Sequence, residues 1–219
     1  MTGVTVLHNR SHCHRPRPMG VPVTSWKTGF PLDDARWLGC FVVRVAVPPP
    51  RAAQAAAIHF VIDAYDGVAV RPGKGLPHAQ AVADVLRDAG ADERTQLAAL
   101  LHDVVEETPR DVDDVRAAFG EELAAMVGAL TEDRSIERYA QRKRALRTQV
   151  ALASDPAVMD IAVADKIASL RHAALTATPI SRRKLAHYRA TLRLALDGQA
   201  APSLTPELTR LLRAIHAWP

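Results

Sequence analysis

Helical patterns follow one another from residue 51 to the end of the chain, separated by short breaks at glycine, proline or polar residues. Aromatic residues make up 5% of the sequence, so Leu, Val and Ala must form most of the core, and a chain rich in Ala and Leu favours helices. The alternation typical of strands is absent from this part of the sequence. The pattern predicts an all-α domain over residues 50–219, with helices at about 52–65, 78–89, 92–108, 111–119, 121–130, 136–153, 156–175, 181–196 and 206–216.

Residues 1–49 differ in composition, since they are rich in proline, arginine and histidine and show no sustained periodicity. We expect a poorly ordered or loosely packed extension with one short strand-like run at 41–47. The cluster His8, His12, Cys13 and His14 could bind a metal adventitiously, but a disordered tail that bears histidines fits the composition better.

Length and charge limit the classes of function. The 219 residues suit one domain with a sizeable core, and a net charge of +4 is compatible with anionic ligands but too small to indicate nucleic-acid binding. Two cysteines give no disulfide framework. No segment has the length of a transmembrane helix, and the first thirty residues lack the apolar core of a secretory signal. We therefore expect a cytoplasmic protein that acts on neither nucleic acid nor membranes.

Two polar residues, His102 and Asp103, interrupt an apolar run in the segment 97–108, LAALLHDVVEET. Burying an ionised carboxylate without a partner is costly, and a bound cation compensates that cost. Positions four apart share a helix face, so Glu106 and Glu107 are predicted to lie one turn later and to point toward the same cleft. A metal-activated water needs a base and an orienting group, which two carboxylates can supply. A hydrogen-bonded core pair without metal is the alternative.

Two further polar residues stand in comparable positions. Asp165 lies near the middle of the mostly apolar segment 158–170, where pairing with Lys166 is the alternative to metal binding. His78 opens a helix after a loop that contains glycine and proline, a position where capping or surface residues are also common. Two His and two Asp from three helices match a mixed nitrogen and oxygen site for Mn²⁺, Fe²⁺ or Zn²⁺.

These residues follow the H…HD…D order of the HD superfamily, which the chain resembles over about residues 52–198. The segment 100–108, LLHDVVEET, is similar to the LLHDVVEDT signature of the hydrolase domain in RelA/SpoT-type alarmone enzymes. The segment 164–171, ADKIASLR, is similar to their ADKLHNLR motif, and 111–131 resembles the segment that follows the signature. Nothing resembles their synthetase or regulatory domains, so the nearest likeness is to stand-alone, Mesh1-like small alarmone hydrolases.

The resemblance implies a compact helical HD-domain fold and hydrolysis of the 3′-pyrophosphate of (p)ppGpp by a water that one divalent cation activates. Mn²⁺ is the usual cation, with Fe²⁺, Zn²⁺ or Co²⁺ as alternatives. Carried over by position, the metal ligands are His78, His102, Asp103 and Asp165, while Glu106 and Glu107 orient water and move protons. The implied substrate contacts are Arg71, Lys74, Lys143, Ser169 and Tyr188. Two of these have structural alternatives, a solvated basic helix face for Lys143 and a core position for Tyr188.

The chain departs from the family pattern near the expected nucleotide. Glu107 stands where the family usually has Asp, and Ser169 stands where it has an asparagine that contacts the nucleotide. The entry loop, 71–79 (RPGKGLPHA), is shorter than the family's and lacks its tyrosine and the proline after histidine. Arg71 and Lys74 can still contact the base and the phosphates, because a guanidinium stacks on a base and forms bidentate hydrogen bonds to phosphate. The departures concern base specificity, and the predicted metal ligands are intact.

Two other functions stay open at this point. An HD-type nucleotidase or phosphatase could act on another nucleotide, such as NADPH or a nucleoside phosphate. A helical module that binds nucleotide without catalysis could retain the same shape, although it would have no need for a costly buried charge cluster. A di-iron oxygenase is disfavoured, because the turn after His102 and Asp103 carries carboxylates instead of further histidines.

Overall fold

The computed structural model describes residues 50–198 and 203–215. Within these residues the chain forms ten α-helices and no strand, which confirms the predicted all-α class. The predicted extension at 1–49, with its strand-like run and histidine cluster, lies outside the described residues. The helices are α1 Pro50–Ala64, α2 Leu76–Asp88, α3 Glu93–Leu101, α4 Val104–Glu107, α5 Val112–Phe119, α6 Glu121–Leu130, α7 Tyr139–Leu152, α8 Ala157–Leu175, α9 Arg182–Asp197 and α10 Leu204–Ala214.

The sequence prediction was wrong about the third helix, which it drew as one element from 92 to 108. The structure divides it into α3 and α4, with His102 and Asp103 between them. The imidazole Nδ1 of His102 lies 2.7 Å from the carbonyl oxygen of Ala99, the group that a regular helix would pair with the amide of Asp103. A side chain that competes for a backbone acceptor in this way interrupts a helix.

Helix α8 holds the centre of the core and contacts α2, α3, α6, α7, α9 and α10. Most of its residues are buried, as expected for a helix that is apolar on all sides. Ile161 and Ile167 are fully buried, and complete burial of such a side chain stabilises a fold by about 1.5–3 kcal/mol. Asp165 lies between them on this rigid element, so its carboxylate has a fixed position.

Helix α2 packs against both α3 and α8 through the fully buried Val82 and Leu86. Its first turn carries His78, so this packing brings the histidine to the level of the α3–α4 break and of Asp165. The N-terminus of α3 is fixed by Asp92, whose carboxylate accepts a 2.8 Å hydrogen bond from the amide of Thr95. Helices α2 and α8 and the break between α3 and α4 thus supply the four predicted metal ligands.

The loop between α1 and α2 lies against α8. Gly73 and Gly75 both have φ of 75°, a conformation that residues with a Cβ rarely adopt. A Cβ on Gly73 would also lie 3.1 Å from the imidazole of His172 on α8. This close approach places Arg71 and Lys74 beside Glu107 and Asp103. Among the helices of residues 50–198 and 203–215, none combines the length and apolar character needed to cross a membrane.

Candidate metal centre and adjoining cavity

Three predicted ligands converge at one point. His78, His102 and Asp165 each offer one ligand atom, and these three atoms all lie within 4.8 Å of one another. The Nε2 of His78 is 3.0 Å from Oδ1 of Asp165. Both histidines are buried, and the carboxylate is mostly so. The arrangement matches the chemistry of a divalent-cation site built from imidazole and carboxylate.

The fourth predicted ligand, Asp103, adjoins the two histidines. Its Oδ1 lies 3.4 Å from Nε2 of His102, and its Oδ2 lies 3.8 Å from Nε2 of His78. Oδ2 also accepts a 2.7 Å hydrogen bond from the ammonium of Lys74. The structure therefore brings together all four residues that the sequence singled out, and it adds a lysine that the sequence had assigned to substrate.

His102 is in the form that binds a metal. Its Nδ1 must donate to the carbonyl of Ala99, because a carbonyl only accepts, and the neutral ring then carries its lone pair on Nε2. That Nε2 is buried and has no hydrogen-bond partner among the described residues. Burial lowers the pKa of His102, which keeps the ring neutral. A free lone pair close to two carboxylates is the observation that a bound cation would explain.

Both carboxylates are ionised. Burial alone would raise the pKa of Asp103, but the electrostatic interactions with the adjacent His102 and with the ammonium of Lys74 outweigh it and lower this pKa to about 2. Burial likewise opposes ionisation of Asp165, yet the adjacent Lys166 ammonium and the contact with His78 hold its pKa well below the usual value. Each aspartate is thus paired with a lysine, Lys74 with Asp103 and Lys166 with Asp165.

The two glutamates of α4 have different partners. Glu106 lines the cavity described below, and burial together with the charge of Asp103 raises its pKa. Glu107 turns to the entry loop, where it forms an ion pair with Arg71. The two residues are adjacent on α4, and adjacent residues of an α-helix project about 100° apart. Arg134 lies near both, with Nη2 at 3.8 Å from Glu106 and 3.7 Å from Glu107.

A cavity of about 570 Å³ adjoins Asp165 and contains all five predicted substrate contacts in its lining. Its charged lining is predominantly basic, with eight Lys or Arg side chains against three carboxylates. The cations are Arg71, Lys74, Arg134, Arg142, Lys143, Lys166, Arg183 and Lys184, and the acids are Glu106, Glu132 and Asp165. A pocket of this charge and volume suits a small, multiply charged anion.

Comparison with known proteins gives the family. The model of the HD domain matches residues 57–192, which is more than half of the chain. The chain belongs to the HD domain family. The resemblance inferred from the sequence is thereby confirmed, and the cluster of His78, His102, Asp103 and Asp165 lies within the matched region.

Several relatives of this HD domain are named as alarmone enzymes. A probable guanosine-3′,5′-bis(diphosphate) 3′-pyrophosphohydrolase of Synechocystis is 36% identical over 102 residues, which cover 44% of this chain and 13% of that protein. The enzyme MESH1 of Drosophila melanogaster is 39% identical over 80 residues, covering 36% and 44%. SpoT of Escherichia coli, a bifunctional (p)ppGpp synthase/hydrolase, is 31% identical over 129 residues, covering 57% and 18%. The chain thus matches less than half the length of each of these relatives.

Solved structures share the fold. A metazoan orthologue of SpoT, described as hydrolysing ppGpp, superposes with a TM-score of 0.61 at 25% identity, over 77% of this chain and 98% of that one. A protein of Listeria monocytogenes superposes with a TM-score of 0.56 at 28% identity, over 64% and 99%. The superposition therefore covers nearly the whole of both solved chains.

Several residues that line the cavity of the HD domain were not predicted from the sequence. Glu132 is buried and holds two cations of the lining, since it accepts a 2.6 Å hydrogen bond from Nε of Arg142 and pairs with Lys143. Arg183 and Lys184 lie in the first turn of α9, where positive charge opposes the helix macrodipole. That unfavourable placement was a usable signal, because such a charge persists where a ligand needs it. Glu132 gave no comparable signal, since its burial depends on the packing of α6 and α7.

The predicted contacts Ser169 and Tyr188 lie together. The hydroxyl of Ser169 is 3.4 Å from Oδ1 of Asp165, and both Ser169 and Tyr188 line the cavity. Tyr188 is 3% exposed, so it is both a core residue and part of the cavity wall. The ammonium groups of Lys166 and Lys184 lie 5.9 Å and 5.7 Å from the centre of its ring.

Proposed function

We propose that this HD domain is a metal-dependent phosphohydrolase that releases pyrophosphate from the 3′ position of (p)ppGpp. The observation that carries the proposal is a buried His and Asp cluster whose Asp165 also lines a cavity with a strongly basic wall. The names of the relatives from Synechocystis, Drosophila and Escherichia coli point to the same substrate. A 3′,5′-bis(diphosphate) carries several negative charges, which match the excess of cations in the lining.

The proposed ligand set is His78, His102, Asp103 and Asp165, holding one divalent cation. We propose Mn²⁺, and Fe²⁺, Zn²⁺ and Co²⁺ are the competing assignments for this mixture of donors. When bound, the cation supplies Lewis acidity, which makes hydroxide available near neutral pH. The low pKa of both aspartates keeps these side chains in the anionic form that a cation requires.

The proposed role of Glu106 is proton transfer at its carboxylate. The side chain lines the cavity, and its raised pKa brings it closer to the working pH, where a general base is most effective. A new bond forms between the water oxygen and the phosphorus next to the 3′ oxygen, while the bond from that phosphorus to the 3′ oxygen breaks. The proton taken by Glu106 passes to the 3′ oxygen, so GDP or GTP and pyrophosphate are the products.

Glu107 takes a different part. Its ion pair with Arg71 ties the entry loop to α4, so we propose that Glu107 positions the loop and orients the water, while Glu106 transfers the proton. Arg71, Lys74 and Lys143 are proposed to contact the phosphates, and Ser169 and Tyr188 to contact the nucleoside. All five line the cavity.

A second function, that of a nucleotidase acting on another nucleotide such as NADPH, is favoured by one observation. Ser169 occupies the position of the family asparagine, and its hydroxyl is directed to Asp165 at 3.4 Å. A short hydroxyl in that orientation leaves unmade a contact that the family asparagine makes to its guanosine nucleotide. The metal centre and the basic lining serve both functions equally, so the two differ in the nucleotide and not in the chemistry.

The test is product analysis with the purified protein. With Mn²⁺ present, ppGpp should be converted to GDP and pyrophosphate, and Asp165→Asn should form neither. Release of a single phosphate from NADPH or a nucleoside monophosphate, with ppGpp left intact, would establish the nucleotidase. No turnover of any nucleotide by a protein that has bound its metal would leave a non-catalytic binding module.

A further inference from the structure

His187 on α9 is buried at the cavity wall but has no part in the roles assigned above. It is 5% exposed, and its ring centre lies 5.8 Å from that of Tyr188. Its two ring nitrogens have different surroundings. Nδ1 lies 2.8 Å from Nη1 of Arg147 on α7, whereas Nε2 is buried and has no hydrogen-bond partner among the described residues.

The contact with Arg147 determines where the imidazole proton lies. A guanidinium has only donors, so Nδ1 of His187 must accept, and the neutral ring then carries its hydrogen on Nε2. Burial, reinforced by the charges of Lys166, Lys143 and Arg147, lowers the pKa of His187 to about 2. The ring is therefore neutral at physiological pH and presents one N–H donor of fixed tautomer.

The cavity that His187 lines indicates what this donor binds. A buried donor without a partner is unfavourable, and native proteins contain few of them. His187 follows Arg183 and Lys184 by one helical turn, and all three residues line the same cavity. The acceptor that fits a donor among so many cations is an anionic oxygen.

We propose that His187 is a specificity-determining contact, whose Nε2–H donates a hydrogen bond to a phosphoryl oxygen of the substrate, and that Arg147 is the positioning residue that fixes its tautomer. The inference rests on the proposed function for the identity of the substrate. The contact itself requires only that a phosphoryl group enters the cavity. Inorganic pyrophosphate, the proposed product, is therefore a sufficient probe.

The decisive comparison is between His187→Asn and His187→Gln. Asparagine places its amide near the position of Nδ1, so it can accept from Arg147 but offers the cavity no donor. Glutamine places an amide nitrogen near the position of Nε2. Binding of pyrophosphate, measured by calorimetry, should weaken about 10- to 100-fold in His187→Asn, the range for loss of a hydrogen bond to a charged group. It should stay within about threefold of wild type in His187→Gln, with circular dichroism unchanged in both.

Each other outcome overturns the proposal. Equal affinity in wild type and His187→Asn, equal loss in the two variants, or no binding of pyrophosphate by wild type would show that the donor does not meet a phosphoryl group. Turnover of ppGpp is measured separately: its absence, with pyrophosphate binding that still depends on His187, would sink the proposed function and leave this contact standing. Turnover of ppGpp with an unchanged KM in His187→Asn would support the proposed function and overturn the contact between His187 and substrate.

The tautomer of His187 can be measured directly in the wild-type protein. The ¹⁵N chemical shifts of the imidazole distinguish a protonated nitrogen from an unprotonated one, and wild type should show hydrogen on Nε2 of His187. Arg147→Met should allow the Nδ1–H form to appear and should raise KM while kcat stays near that of wild type. Hydrogen on Nδ1 in the wild-type protein would refute the role of Arg147.

Discussion

Lys74 is expected to stabilise the metal-free protein far more than the metal-bound protein. Its ammonium lies 2.7 Å from Oδ2 of Asp103, and the two side chains are 24% and 8% exposed. Lys74→Met keeps most of the apolar stem and removes the charge. Breaking a buried ion pair costs about 3–5 kcal/mol. Because Lys74 is partly exposed and both histidines remain beside Asp103, we expect the low end, about 3 kcal/mol, in the free energy of unfolding.

A bound cation changes this result, since it balances the Asp103 carboxylate without Lys74. The loss caused by Lys74→Met should then fall below about 1 kcal/mol. For a chain of this length, 1 kcal/mol corresponds to about 2–4 °C in Tm. The Tm of the metal-free variant should therefore lie about 6–12 °C below that of wild type, and saturating Mn²⁺ should remove most of the difference.

Thermal unfolding followed by circular dichroism, with EDTA or with saturating Mn²⁺, measures both quantities. Arg87→Met is the matched control, because Arg87 pairs with Asp84 on an exposed helix surface and should leave Tm unchanged in both conditions. An equal fall in Tm with EDTA and with Mn²⁺ would refute the reasoning, since Lys74 would then support the fold independently of the cation. An unchanged Tm with EDTA would show that Asp103 does not depend on this pair.

Four further outcomes are expected. Glu106→Gln should retain the metal while kcat falls on the order of 10²-fold; loss of the metal would make Glu106 a ligand. Glu132→Gln should lower the free energy of unfolding by about 3 kcal/mol in urea, because two cations of the lining lose their buried partner; unchanged stability would contradict that role. Ser169→Asn should lower KM for ppGpp and not for NADPH if the family amide contacts the base. The depressed pKa of His187 predicts stability that is complete above about pH 6.5 and falls with acidification, by up to about 1.4 kcal/mol per pH unit, as the unfolded chain takes up the proton. In His187→Asn the urea midpoint should vary less between pH 5 and 6.5, and an identical slope would refute a neutral His187.

The helices could be predicted because local residues set their limits. Glycine, proline and capping residues mark the ends, and the predicted bounds of α5, α6 and α8 differ from those observed by at most one residue at either end. The break between α3 and α4 could not be predicted in this way. It depends on the imidazole of His102 reaching the Ala99 carbonyl, and the apolar periodicity of the segment continues through it.

The candidate site was accessible to sequence reasoning for a physical reason. His102, Asp103 and Asp165 stand in segments that are otherwise apolar, and an ionisable residue in such a place needs a partner. The identity of the partners depends on how the helices are rotated and packed. The pairing of Lys74 with Asp103 and the turn of Glu107 toward Arg71 therefore emerged from the structure alone.

We propose that release of pyrophosphate from ppGpp requires one cation, held by His78, His102, Asp103 and Asp165. The most direct test of this requirement is a titration of the metal-free protein with Mn²⁺, in which bound metal and turnover are measured on the same samples. Turnover should rise in proportion to bound metal and saturate at one equivalent per chain, and Asp103→Asn should show neither binding nor turnover. Full turnover by the metal-free protein, or by Asp103→Asn, would contradict the account.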